Sequence, residues 1–386
     1  MSTLAHLLVR ADEPTRTVIH PYRKPVEDPM LDGQVLVHVS KLVVTANTLT
    51  YALAGKMPVL KYFQHFPIPK DAPDSLAMTP CWGTGIVIAS KCPAVRVGAR
   101  IHGYFPFSPT VVLTPSEATA TSFIDAAPHR VDLLKPYKMY FSSEDPQFKG
   151  LSYDEEDYQM ATGVLFSTGW AMAQVPAVHP AKPKALILTS ASSRTSRAAA
   201  FAAKFHKLPL EVVGLTSATN LDYVRGLGIY DSVHVYRDVS SLKNQTVAVQ
   251  DVAGSAEVQQ SLYEHFGGQI VYFGSVGMSH VGAAGKRPKL TGLGGAPPAP
   301  FLVFSAIEEL RKVYGDFKVR RWLADSSKAY NSRMLPEFRA ERRYGAEQTR
   351  AVFDSMVQGA ADPQVTYVCS MWPEDLHEPV VASSKL

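Results

Sequence analysis

The residues best equipped for chemistry lie in one turn, Thr189 to Arg197, which reads TSASSRTSR between an apolar run (ALIL from Ala185) and an Ala-rich one ending at His206. A strand-to-helix turn of this kind is where a dinucleotide pyrophosphate rests on a helix N-terminus, and glycines in a G-x-G-x-x-G pattern usually let the backbone approach it. This turn has no glycine. Ser190, Ser192, Ser193, Thr195 and Ser196 offer hydroxyls instead, and Arg194 and Arg197 offer charge; charge-assisted hydrogen bonds hold phosphate strongly. The same hydroxyls also suit a ligand-free helix cap. The next apolar run ends in Thr216-Ser217, with Asn220 following and no acid before Asp222. An acid there would bond a ribose 2′-hydroxyl and repel a 2′-phosphate, so a bound nucleotide is expected to be NADP(H), ordinary loop polarity being the other account. KYFQHFP, Lys61 to Pro67, gathers Tyr62, Phe63, His65 and Phe66, a set that fits a flat substrate and equally fits a core. His65 is a candidate acid–base group, and a lone histidine also fits a structural role. The three cysteines, Cys81, Cys92 and Cys369, are scattered, whereas catalytic zinc takes three protein ligands and structural zinc four; metal-free chemistry in a reducing compartment is expected. Ser384, Lys385 and Leu386 close the chain as the tripeptide read by the peroxisomal import receptor, so a peroxisomal location is expected, or a cytoplasmic one if the tripeptide is accidental.

These residues need a scaffold. The 386 residues are enough for two or three domains, 46% of them hydrophobic and 19% charged. The balance of 39 basic and 35 acidic residues, with no basic block, argues against nucleic acid as a partner. No apolar window reaches 18 residues and MSTLAHLLVR lacks the parts of a signal peptide, so a soluble, non-secreted protein with no membrane partner is expected. Gln34 to Val44, Gly83 to Ser90, Ala99 to Phe105 and Thr110 to Pro115 are Val- and Ile-rich runs bounded by turn residues and read as strands of a β-rich module. From Lys184 to Gly277 apolar runs alternate with helical patterns, which implies βαβ units and a parallel sheet. A Gly/Pro loop at 281–299 follows as linker or lid, then helical patterns around Val319 to Tyr330 and Ala346 to Met356 and an extended QVTYVCSMW.

GQVLVHVSKLVVTANTLTYALAG (Gly33 to Gly55), GTGIVIASKCPAVRVGARIHGY (Gly83 to Tyr104), ATGVLFSTGWAMAQ (Ala161 to Gln174) and ALILTSASSRTSRAAAFAAK (Ala185 to Lys204) follow one another in an order that resembles the medium-chain dehydrogenase/reductase superfamily, particularly its zinc-free quinone and enoyl reductases. TANTLTYA, YFQHFP, DAAPHR, SASSRT and LG-x-YD are similar to the hallmarks of the domain of unknown function 2855 group, nearly end to end. The resemblance implies an α/β fold: a Rossmann doubly wound parallel sheet plus a GroES-like β-rich domain, with residues 1–155 GroES-like, 156–290 Rossmann-like and 291–386 returning to the first domain. It implies NADPH as cofactor, with Tyr236, Val252, Gly254, Gly274 and Ser275 facing it besides the turn. Cys81 lies about where the zinc enzymes carry a His-Glu pair, and no such pair is present. In TANTLTY the resemblance sets Asn47, Thr50 and Tyr51 beside the substrate, with Tyr51 as proton donor, Thr50 or His65 standing in if it is not, and a core role for Tyr51 remaining open. The expected activity is NADPH-dependent, zinc-independent reduction of an activated C=C or C=O in a small molecule or a CoA thioester, whose phosphates Lys286, Arg287 and Lys289 of the loop could reach; the assembly it admits is a homodimer. The glycine-free turn keeps a rival open, a pseudoreductase that catalyses elimination or cyclisation or serves as a partner subunit.

Overall fold

Strand Val35–Val44 is buried almost throughout, so it must be flanked on both sides. In the computed structural model, which describes residues 4–23, 30–58, 60–277, 292–337, 339–362 and 364–374, Pro80–Ser90 and Thr110–Leu113 pair with it antiparallel, and so does Val365–Ser370 near the C-terminus. The chain divides into two compact units, residues 1–161 with 339–386, and residues 162–338.

The first unit is β-rich. Its main sheet runs Arg339–Tyr344, Val365–Ser370, Val35–Val44, Pro80–Ser90, Arg100–Pro106, Met139–Ser142, Ser122–Asp125 and Pro115–Ser116, and Ala5–Arg10 lies between Thr17–Pro21 and Leu76–Ala77 in a smaller sheet. All four strands expected before residue 115 are present. Ala5–Arg10, within the MSTLAHLLVR segment, is a buried strand.

The second unit carries a six-stranded parallel sheet in the order Ser232–Val235, Glu211–Thr216, Ala185–Leu188, Val247–Asp251, Ile270–Ser275 and Ala299–Pro300. In chain order this is 3-2-1-4-5-6, the doubly wound Rossmann arrangement, whose ligand side is the carboxyl edge of the strands. The fold class read from the sequence is therefore the fold observed. Helix Arg194–Phe205 follows the first strand, and the second half of helix Tyr153–Val178 packs closely on it at Gly169: a Cβ there would lie 2.5 Å from the Thr195 carbonyl.

The domain boundaries differ from the expected 155 and 290. The first falls inside helix Tyr153–Val178, and the return to the β-rich unit begins at Arg339 rather than 291. Helices Val303–Tyr314 and Asp316–Met334 stay with the parallel sheet, because Tyr330 is a core residue there, 5.0 Å from Phe166 and 5.3 Å from Phe201 between ring centres. Among the described residues no helix is long and apolar enough to cross a membrane. Lys286, Arg287, Lys289, Ser384, Lys385 and Leu386 lie outside the described residues.

Candidate functional site

The turn after Ala185–Leu188 keeps a glycine turn's path without glycine. Ser190 has φ +46°, a left-handed conformation that L-residues rarely adopt and that must be held by its surroundings. Two tyrosines hold it. Tyr236 receives the Ser190 N–H at 3.0 Å through its hydroxyl, and Tyr230 donates its hydroxyl to the Ala191 carbonyl at 2.7 Å. Ser193 caps the helix by accepting from the Ser196 N–H at 3.2 Å, while Ser196 donates to the Thr189 carbonyl at 2.7 Å. The cap reading is thus realised, by Ser193 and Ser196. Ser192, Ser193 and Arg194 stay half-buried at the helix start, and Thr195 is buried. Arg197, counted in the sequence among the phosphate-binding charges, is fully buried and donates to Tyr223; the charge at the mouth of the turn is Arg194.

The other expected cofactor positions gather on the same carboxyl edge. Thr216 is buried at the end of the second strand, Ser217 opens a turn by accepting from the Asn220 N–H at 3.1 Å, and the Asn220 amide reaches Ser192 Oγ at 3.2 Å. Asp222 is exposed in the next helix, so no acid stands at this strand end. Val252 is a wall residue whose N–H is already used, at 2.8 Å, by Thr189 Oγ1. Gly254 has φ +67°, and a Cβ on Gly274 would meet Gln250 Oε1 at 2.3 Å. Ser275 is half-buried and its carbonyl accepts from Phe301.

Asp251, missed in the sequence, organises this edge. Fully buried, it accepts from Thr189 Oγ1 at 2.6 Å, from Gln259 at 2.7 Å and from the Ala253 and Gly254 N–H groups. Burial pushes its carboxyl pKa up, against these hydrogen bonds. Thr189 Oγ1 in turn accepts from the Val252 and Ala253 N–H groups at 2.8 and 2.9 Å. Thr189→Val keeps the shape but removes the hydroxyl that Asp251, Val252 and Ala253 all use, so it is expected to cost about 1–3 kcal/mol of stability, read as a lowered urea midpoint; an unchanged midpoint would show that the edge does not depend on this hydroxyl.

In the β-rich unit, helix Ala46–Leu53 carries Tyr51. Thr45 and Thr48 form a capping box at its start, and the hydroxyl of Tyr51 accepts from Asn47 Nδ2 at 2.6 Å and from Trp82 Nε1 at 2.8 Å. Asn47 and Tyr51 share a helix face one turn apart, whereas Thr50 is half-buried and turned by the helical step of about 100°. Tyr62, Tyr104 and Tyr137 surround the Tyr51 ring at 5.1, 5.1 and 6.3 Å, and burial raises the Tyr51 phenol well above its ordinary pKa. His65 does not join them. Buried, it uses Nδ1 on the His129 carbonyl at 2.9 Å, tying its short helix, Tyr62–His65, to the distant turn Pro128–Arg130. Its place is structural, as is that of Phe66, which lies under the Arg130 guanidinium at 4.5 Å.

A buried ion cluster, with no counterpart among the residues singled out in the sequence, lies beside these rings. Lys41 reaches Glu156 at 2.5 Å and also Asp157; Arg100 grips Glu156 through two nitrogens at 2.7 and 2.5 Å; Arg342 bonds Asp157 at 2.7 Å. Buried ions are tolerated only when paired this fully. Burial pushes the Glu156 carboxyl up, but Arg100 and Lys41 outweigh it and hold its pKa down to about 2. One helical turn on, Met160 and Ala161 pack with Val43 and with Trp82, whose indole bonds Tyr51. The cluster thus anchors the wall behind the Tyr51 hydroxyl. Among the described residues no three His, Cys, Asp or Glu side chains gather as a metal-ligand set.

No curated protein matches the chain by sequence. Solved structures match over nearly its whole length. CurA from Vibrio vulnificus, crystallised with NADPH, is 11% identical, covers 95% of this chain and 98% of its own, and has a TM-score of 0.59. Mycobacterial Rv1454c, complexed with NADPH, is 13% identical over 96% and 100%, with a TM-score of 0.56. The CurF ER cyclopropanase of the curacin A biosynthetic pathway is 13% identical over 95% and 98%, with a TM-score of 0.54. At these identities the likeness is one of fold, the Rossmann plus GroES-like architecture of the medium-chain dehydrogenases/reductases. By sequence, residues 42–362 match the family described as protein of unknown function (DUF2855), and the chain belongs to that family.

Proposed function

We propose that the protein is an NADPH-dependent, zinc-independent reductase of an activated C=C or C=O in a small-molecule or CoA-linked substrate. The observation that carries this is the turn at Ser190: an L-residue held at φ +46° by Tyr236 and Tyr230, at the carboxyl edge of a 3-2-1-4-5-6 sheet. Maintaining that strained path keeps the helix start at Arg194 open to a pyrophosphate, and the acid-free end at Thr216-Ser217 fits a 2′-phosphate. The residues present therefore fit the dinucleotide. Ser192, Ser193, Arg194 and Thr195 would hold its pyrophosphate, Ser217 and Asn220 its ribose phosphate, and Gly254, Gly274 and Ser275 would line its path.

Bound NADPH supplies the hydride. The protein's part is to hold the substrate oxygen and return a proton. As electrons move onto that oxygen, Tyr51 gives up its hydroxyl proton, and the phenolate it leaves is stabilised by the two hydrogen bonds from Asn47 and Trp82; solvent then reprotonates it. Enones, quinones and enoyl thioesters should each be offered with NADPH while its absorbance is followed. Oxidation that depends on one class, undiminished by chelators, is the expected result. Tight NADPH binding with no oxidation across all three would instead favour elimination or cyclisation. The targeting reading of Ser384, Lys385 and Leu386 is carried as a separate proposal: an N-terminal fluorescent fusion should co-localise with a peroxisomal marker, and deleting Leu386 should disperse it.

A further inference from the structure

Two buried phenols in the β-rich unit have hydroxyl protons that no described residue accepts. A tyrosine hydroxyl has one proton and two lone pairs. On Tyr51 both lone pairs are taken, by Asn47 and Trp82, which leaves its proton pointing elsewhere. Among the described residues the Tyr104 hydroxyl has no hydrogen-bond partner, and the side chain is wholly buried. The two rings meet edge to face, 5.1 Å apart.

Tyr104 is also held firmly. Its ring packs against Trp82 at 4.9 Å, Tyr137 at 5.2 Å and Phe66 at 5.3 Å. Its carbonyl accepts from Tyr140 at 2.6 Å, Tyr140 accepts from Arg130 at 2.7 Å, and Arg130 is paired with buried Asp125 at 3.1 Å. Phenylalanine would fill the same space without burying an unsatisfied hydroxyl, a group that structures rarely leave unpaired. Hydroxyl donors held in place by packed aromatic rings and kept from water are the kind of group that stabilises a developing oxyanion.

We propose that Tyr51 and Tyr104 form a two-donor pocket for a negatively charged or charge-developing oxygen, the carbonyl oxygen of a flat conjugated substrate. This rests on the reductase reading and names its substrate class: the oxygen that takes up charge lies between the two phenols, and the aromatic walls of Trp82, Tyr62 and Tyr137 admit a planar conjugated system rather than a branched aliphatic one.

The test uses the full chain without dinucleotide. 4-Nitrophenol is a planar probe whose ionised form absorbs in the visible, so capture of the phenolate is seen directly. At a pH below the probe's own pKa, adding protein should increase the phenolate band. Tyr104→Phe should weaken phenolate affinity about tenfold to a hundredfold, as expected for the loss of a hydrogen bond to a charged group, while its thermal midpoint stays at or above that of the wild type. Tyr51→Phe should weaken it comparably, and the double variant should abolish it. If the wild type captures no phenolate, or Tyr104→Phe captures it as well as the wild type, the pocket is refuted and the Tyr104 hydroxyl is a core defect or a water site. Because no NADPH is used, phenolate capture alongside failed NADPH binding would keep the pocket and overturn the reductase; the reverse would keep the reductase and remove Tyr104.

Discussion

Tyr51→Phe is expected to lower turnover by about 10²- to 10⁴-fold, the usual loss when a positioned acid is removed, while NADPH affinity stays as it was. The hydroxyl receives Asn47 and Trp82 but hands its proton to no described residue, so phenylalanine removes a donor without orphaning a donor-dependent partner in the core. The Asn47 amide and Trp82 indole lose an acceptor, and both are half-buried and open to water. Burial keeps the phenol protonated across the neutral range, so the wild type should show no loss of activity from Tyr51 ionisation between pH 6 and 9, a window on the order of that set by the ordinary tyrosine pKa of ~10. A variant that turns over at the wild-type rate would return Tyr51 to the core. Steady-state rates and nucleotide titrations on the same preparation separate the two outcomes.

The second large effect is acid lability. His6, His38 and His102 are buried in the β-rich unit, and burial lowers the pKa of each to about 4. Each therefore stays neutral in the folded chain while its unfolded counterpart binds a proton from about pH 6.5 downward. Stability is complete above that value and falls as pH drops towards 4, since the unfolded state then holds more protons. At pH 5 the loss is about 2 kcal/mol for each histidine by this linkage, a large part of the 5–15 kcal/mol that usually holds a domain. Glu156 adds a second, lower window: its contribution is present above about pH 4.5 and is lost as pH falls through about 2. Thermal midpoints followed by near-UV circular dichroism should drop steeply between pH 7 and 5. Replacing His38, which stacks on Trp372 at 4.1 Å, with phenylalanine should flatten part of that slope. A midpoint that does not move over this range would mean that these imidazoles reach water or acids in the folded state.

The parallel sheet was legible because each strand is an apolar run closed by a turn and followed by a helical pattern. Helix Tyr153–Val178 was not read as one element. Its buried residues include Phe166, Trp170, Ala171, Met172 and Ala173, which circle the axis, so no one-sided stripe announces it. The same helix carried the first boundary, and the apolar side of Asp316–Met334, built on Val319, Tyr330 and Met334, gave no sign of which unit it would cover. The Thr189–Arg197 turn and TANTLTY stand out in the sequence as candidates because their polar residues are neighbours in it. Asp251, Tyr230 and Tyr104 do not, since each works with residues some 40 or more positions away. A signal existed for some of them: Lys41 inside LVHVSKLVV and Asp251 inside TVAVQDVA are charges embedded in buried strands, and a buried charge requires a partner.

Whether the glycine-free turn accepts a dinucleotide is tested most directly by a fluorescence titration of the purified protein with NADPH and NADH. Saturable enhancement of nicotinamide emission, tighter for NADPH than for NADH and weakened by Arg194→Ala, is the result predicted from Ser190, Arg194 and the acid-free strand end at Thr216-Ser217. No saturation with either nucleotide at millimolar concentration would contradict it, and equal or tighter binding of NADH would overturn the assignment of the 2′-phosphate to this chain.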